Sequence, residues 1–131
     1  VDHFLPRSSY PELAYEWHNY RLACARINQF KADKIGILDP LKIRSGWFVL
    51  DCASFYVHPA DELENDLVGQ IQYTIDELGL NCDPLVELRY TVTRDYSFGN
   101  VTLAFLNDRY PFVGFELTRQ GLATRIIGSM K

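Results

Sequence analysis

Apolar residues recur along the later part of the chain with two different periods. Leu63, Leu67, Ile71, Ile75 and Leu78 fall every three to four positions, which predicts an amphipathic helix. Asp61 is expected to cap its start and Gly79 to stop it. Asp83-Pro84 opens the next helix, with proline tolerated in the first turn. Leu85, Leu88, Val92 and Tyr96 mark its buried face, and Gly99 its end. Asn100 is expected to cap a further helix through Arg109, broken at Pro111, and a last helix runs from about Phe112 to Gly121. Ahead of these helices, GWFVLD (46–51) and ASFYVH (53–58) are two extended apolar runs that are expected to pair. The closing TRIIGSMK is expected to fray or to be held in a contact.

The start of the chain is patterned differently. Val1–Phe4 is apolar and suited to a strand. Leu5 to Glu16 carries Pro6, Ser8, Ser9 and Pro11 and is expected to be a loop. Trp17 to Leu22 suits a second short strand or the lead into a helix. Ala23 to Lys34 lacks Gly and Pro and is predicted helical, with Ala23, Ile27 and Phe30 on one side, ended by Gly36 and Asp39-Pro40. Residues 1–35 thus read as strand, long loop, short strand, helix. The chain divides into this unit over residues 1–45 and a mainly helical body over residues 46–131, an α+β arrangement. Val1 stands inside the first predicted strand, so the unit is expected to be truncated on its N-terminal side.

Composition changes this picture little. Hydrophobic residues at 47% and aromatics at 14% are enough to build a packed core rather than a disordered chain. No apolar run approaches the roughly 18 residues that a membrane helix requires. Three cysteines, Cys24, Cys52 and Cys82, are an odd number at no metal-binding spacing, and are expected to be reduced thiols of a cytoplasmic protein. The net charge of −4 argues mildly against a nucleic-acid partner, but its distribution partly reverses that. Residues 1–50 hold seven Lys/Arg against five Asp/Glu, and residues 51–131 hold six against twelve. The N-terminal part is therefore the better candidate for a phosphate-facing surface.

Candidate chemistry gathers in that same part. Phosphodiester hydrolysis requires a deprotonated water, stabilisation of negative charge on the phosphate, and groups held in place. A histidine near its ordinary pKa of roughly 6.5 is a suitable general base. A divalent cation held by oxygen ligands stabilises phosphate charge. His3 with Asp2, and the amides Asn19 and Asn28, are residues of these types. Neighbours in a strand point to opposite faces, so Asp2 and His3 can serve one site only at a bend or a strand edge.

The strings DHFLPRS, WHNY and CARINQFKADK, in that order, resemble the HNH endonuclease family with its ββα-metal fold. More narrowly, they resemble the subfamily reading DHF-x-P-(K or R)-S, YPELAYEW-x-N and C-x-x-C-N-x-x-K-x-D-K. The motif covers residues 1–34, and the similarity continues through LDPL, GWFVLD, DELGLN and RYPFVGFEL. The resemblance implies that His3 is the general base and that Asp2 and Asn28 are metal ligands. It implies that Asn19 holds the long loop and orients the histidine. Lys31 stands where the family often has a basic residue near phosphate, with Arg7 and Lys34 as weaker phosphate contacts. Two oxygen ligands leave room for water and phosphate, which suits Mg²⁺ or Mn²⁺. Some similar proteins are nuclease partners of an ATPase in anti-phage defence, which implies an ATPase as protein partner and DNA as substrate.

Two positions depart from that pattern. The second cysteine pair of the family is Cys24-Ala-Arg-Ile27 here, and no pair precedes DHF in this chain, so no structural zinc is expected. Ala32 stands where relatives often have glycine.

Each of these residues also has a plainer reading. Asp2 alone is an ordinary surface acid, Asn19 a turn residue, Asn28 a helix-surface amide, and Cys24 a small buried apolar residue. His18 and His58 read as structural or loop residues, and Tyr10, Tyr15, Trp17 and Trp47 as core rather than base-stacking platforms. The helices of the body carry no ionisable cluster that suggests chemistry. A catalytically silent module that kept the fold and binds a protein or nucleic acid is the alternative function. Loss of the zinc cysteines favours it, and the intact Asp2, His3, Asn19 and Asn28 favour the enzyme.

Overall fold

The two extended runs pair as expected, over a shorter span. β1 (Phe48–Leu50) and β2 (Val57–Pro59) form a two-stranded antiparallel sheet with Phe48 opposite Pro59, Val49 opposite His58 and Leu50 opposite Val57. The computed structural model describes Glu12, Leu13, Tyr15, Glu16, Leu38 and residues 43–130. His58, expected in a loop, lies in β2. Along both strands burial alternates, so Phe48, Leu50, Val57 and Pro59 face the core while Val49 and His58 are half-exposed, as the twofold period of a strand dictates.

The ladder continues to Ala60, whose N–H donates to Trp47 O at 3.0 Å, and to Asp51, whose N–H donates to Tyr56 O at 2.9 Å. Leu50 and Val57 therefore turn their N–H and C=O groups away from each other, and side chains from the helical body meet them. The Asn81 amide accepts from Val57 N at 2.7 Å and donates to Val57 O at 2.9 Å. Glu116 accepts from Leu50 N at 2.9 Å, and Gln120 donates to Leu50 O at 2.8 Å.

Five helices follow over residues 65–125: α1 (Asn65–Leu78), α2 (Asp83–Ser97), α3 (Leu103–Arg109), α4 (Pro111–Arg119) and α5 (Leu122–Arg125). The chain is thus a mixed α/β structure with a small sheet and a mostly helical body. Two expected caps are displaced. α1 begins at Asn65 after Glu64, not at Asp61. The hairpin ladder still holds Ala60, so the residues after it are used to turn the chain. Thr102, not Asn100, caps α3, its side chain accepting from Phe105 N at 3.0 Å. Asn100 instead closes α2, donating its N–H to Asp95 O while Gly99, at φ +83°, donates to Tyr96 O. Gly79 and Leu80 end α1 in the same way on Asp76 O and Ile75 O. This double bond around a left-handed residue is the reason glycine terminates both helices.

Leu13, Leu50, Val57, Ile71, Ile75, Leu78, Leu80, Leu85, Leu106, Phe112, Val113 and Leu117 are buried in one core cluster. Each fully buried Leu or Ile stabilises the fold by roughly 2 kcal/mol relative to exposure. α1 packs on β2, and α4 packs on β1, α3 and α5. Glu12, Leu13, Tyr15 and Glu16 are helical, where a loop was expected. The run ELAYEW contains no Gly or Pro, and a proline ahead of a helix is tolerated in its first turn. The C-terminal segment is held in a contact: Gly128 N donates to Ser97 O at 2.7 Å and the Ser97 hydroxyl to Ile126 O at 2.7 Å. Among the described residues, no helix is long and apolar enough to cross a membrane.

Candidate functional site

Asp2, His3, Arg7, Asn19, Asn28, Lys31 and Lys34, the residues singled out from the sequence, lie outside the described residues, as do Cys24 and the ββα unit they would build. Among the described residues, Glu12, Leu13, Tyr15 and Glu16 come before Asn19 in the chain, Glu16 three positions ahead of it. Glu16 is fully enclosed, and its Oε1 accepts from Val113 N at 3.0 Å. Val113 is the third residue of α4, where helix N–H groups have no partner within the helix. Tyr110, at the N-cap position of α4, makes no side-chain capping bond. A carboxylate 97 residues earlier in the chain therefore takes the capping role, at the end of the helix where the backbone dipole favours negative charge. Leu13, one turn before Glu16, is 2% exposed and belongs to the core. Ser45 Oγ donates to Glu12 Oε1 at 3.1 Å, and Leu38 N to Thr74 Oγ1 at 3.1 Å.

The body also holds ions that sequence reasoning missed. Arg89 is fully buried on α2, with Nη2 donating to Leu80 O and Nη1 to Phe55 O. Glu116 is fully buried on α4. Besides Leu50 N, it accepts from Arg119 Nε at 2.7 Å and Arg119 Nη2 at 2.9 Å. That pairing raises the Arg119 pKa above its ordinary value. The signal for both was positional: Arg89 follows Leu85 and Leu88 on the apolar stripe, and Glu116 lies between Val113 and Leu117. Both groups are enclosed and engaged with the chain itself. Neither is open to a phosphate or a metal.

Among the described residues, the surface concavities include a polar cleft and an apolar groove. A mixed polar cleft of about 410 Å³ between β2 and α1 is lined by His58, Asp61, Asn65 and Gln72 among others. An apolar groove of about 260 Å³ between α2 and α3 is lined by Leu88, Val92, Val101, Phe105 and Tyr110 with Asp95. Among the described residues, no group of three or more His, Cys, Asp or Glu side chains could hold a metal ion.

Cys52 is a free thiol. Burial, and then the negative charges of Glu116 and Asp51, push the Cys52 thiol up to about 11. At pH 8 roughly one molecule in a thousand carries the thiolate, the reactive form. Cys52 in the folded protein is therefore expected to react with iodoacetamide at least tenfold more slowly than in urea, followed by mass spectrometry of the peptide. Equal rates would contradict this environment.

Comparison with family models, with curated proteins and with solved structures finds no match to this chain.

Proposed function

We propose that this chain is a metal-dependent HNH-type endonuclease hydrolysing DNA phosphodiester bonds, with a ββα-metal unit over residues 1–45 carried on the helical body. The observation that carries the reading is the ordered set Asp2, His3, Asn19, Asn28 and Lys31 within the strings DHFLPRS, WHNY and CARINQFKADK.

In this reading His3 takes the proton from the attacking water, and Asn19 orients the imidazole. The Asp2 carboxylate and the Asn28 amide supply hard oxygen donors, a set that suits Mg²⁺ or Mn²⁺ and leaves room for water and phosphate. When bound, the ion stabilises negative charge on the phosphate. Lys31, with Arg7 and Lys34, contacts the nucleic-acid backbone and supplies affinity rather than sequence preference. Ile27 stands in place of the second cysteine of the Cys24 pair, which leaves the family's zinc set short of four ligands, so elemental analysis is expected to find no tightly held zinc. The reading places the protein in the cytoplasm, acting in anti-phage defence beside an ATPase partner.

The test is nicking of supercoiled plasmid with Mg²⁺ or Mn²⁺ against a chelator control, with single-stranded DNA and RNA in parallel and with the partner present. Metal-dependent cleavage is the expected result. Its absence on every substrate would replace the enzyme by a catalytically silent HNH-fold module that binds protein or nucleic acid.

A further inference from the structure

We propose that Glu16 is a positioning residue, clasping the segment that leads into the candidate nuclease site onto the N-terminal end of α4; the role rests on the nuclease reading above. Burying a carboxylate is costly unless hydrogen bonds compensate, so an enclosed Glu16 is tied to one location. Among the described residues it accepts from the main-chain N–H of Val113, which is itself fully buried. Because Tyr110 makes no side-chain capping bond to α4, the helix depends on Glu16 as much as Glu16 depends on the helix.

Leu13 fixes the same helical face in the core, and the Glu12–Ser45 bond fixes its flank, so rotation and sliding of this segment are both opposed. Asn19 follows Glu16 by three residues, a length of chain that spans at most about 11 Å. α4 also holds β1 through Glu116 and Leu50, so the clasp refers the segment to a helix that is bonded to the sheet. Displacement of a reacting group by about 1 Å can lower a rate a hundredfold, so a fixed reference is consequential for catalysis.

The experiment compares the full chain with Glu16→Ala and Glu16→Gln, reading plasmid cleavage at saturating Mg²⁺ and amide hydrogen exchange. Glu16→Ala is expected to lower kcat at least tenfold with KM for DNA changed less than about twofold. Its Val113 amide is expected to exchange at least tenfold faster while the amides of α1 and α2 keep their protection. Glu16→Gln, whose side-chain oxygen accepts the same bond, is expected to restore most of both. Wild-type kcat in Glu16→Ala, or no recovery in Glu16→Gln, overturns the positioning role and leaves the nuclease reading standing. If Glu16→Ala unfolds the whole body, Glu16→Gln decides alone: near-normal kcat supports the role, and a loss of about tenfold or more with α1 and α2 still protected overturns it. An inactive wild type overturns the nuclease reading and the positioning role together, and the exchange of Val113 still decides the clasp.

Discussion

Replacing Arg89 by alanine is expected to lower the free energy of unfolding by about 3–5 kcal/mol, a loss as large as that of truncating a core aromatic side chain. The guanidinium reaches the Leu80 carbonyl, just past the end of α1, and the Phe55 carbonyl in the turn joining β1 to β2. Hydrogen bonds from a charged donor contribute about 1.5–3 kcal/mol each, and removing the donor leaves buried acceptors without it. The truncated stem leaves a cavity as well. Phe55 adds to the effect. It stands at φ +65°, a left-handed conformation that disfavours a residue with a side chain. Arg89 and the edge-to-face packing of Phe55 on Tyr90, with ring centroids 5.5 Å apart, hold it there. Domain stability is typically about 5–15 kcal/mol, so the variant should be marginal. Urea unfolding followed by circular dichroism checks this, with Arg89→Met as the comparison that keeps the stem and removes only the donors. A loss under about 1 kcal/mol in Arg89→Ala would show that the carbonyls find other partners.

The largest effect on activity is expected from His3→Ala, a fall in cleavage rate of a hundred- to ten-thousand-fold, the range that a general base supplies. Folding and DNA affinity should stay nearly unchanged, because the proposed role is proton transfer rather than binding. Asn28→Ala should behave differently: its defect lies in metal affinity, so raising Mg²⁺ or Mn²⁺ should partly rescue it. Lys31→Ala should weaken DNA binding and flatten its salt dependence by about one unit, as loss of one phosphate contact does. The contrast among the three variants assigns the roles. Retained cleavage in His3→Ala would remove the general base from His3 while leaving the nuclease reading itself open to other bases.

The body was legible from the sequence wherever one local rule decided the outcome. The spacing from Leu63 to Leu78 places α1, Gly79 and Gly99 terminate helices, Pro84 opens one, and the break expected at Pro111 separates α3 from α4. What escaped was set by tertiary structure. Asp61 has the chemistry of a cap, but the ladder reaching Ala60 delays the helix. Asn100 has it too, and was taken by the closure of α2. Arg89 and Glu116 look like solvated charges until the helices around them are assembled. The Glu16–Val113 bond joins residues 97 apart and leaves no local trace. For the candidate site, the sequence supplies residue types, the resemblance to the HNH family implies their roles, and the geometry lies outside the described residues.

The side chains that meet Leu50 and Val57 have a consequence for association. A two-stranded sheet ordinarily presents two open flanks, each a template for an incoming strand from another chain. Here Asn81 occupies both main-chain groups of Val57, and Glu116 with Gln120 occupies both of Leu50. Pro59, in β2, has no N–H to offer. A third strand could add at these positions only by displacing the side chains of Asn81, Glu116 and Gln120 from the main-chain groups they bond. The hairpin is thereby closed to growth by strand addition on either flank, and its apolar FVL run is guarded against aggregation through that route.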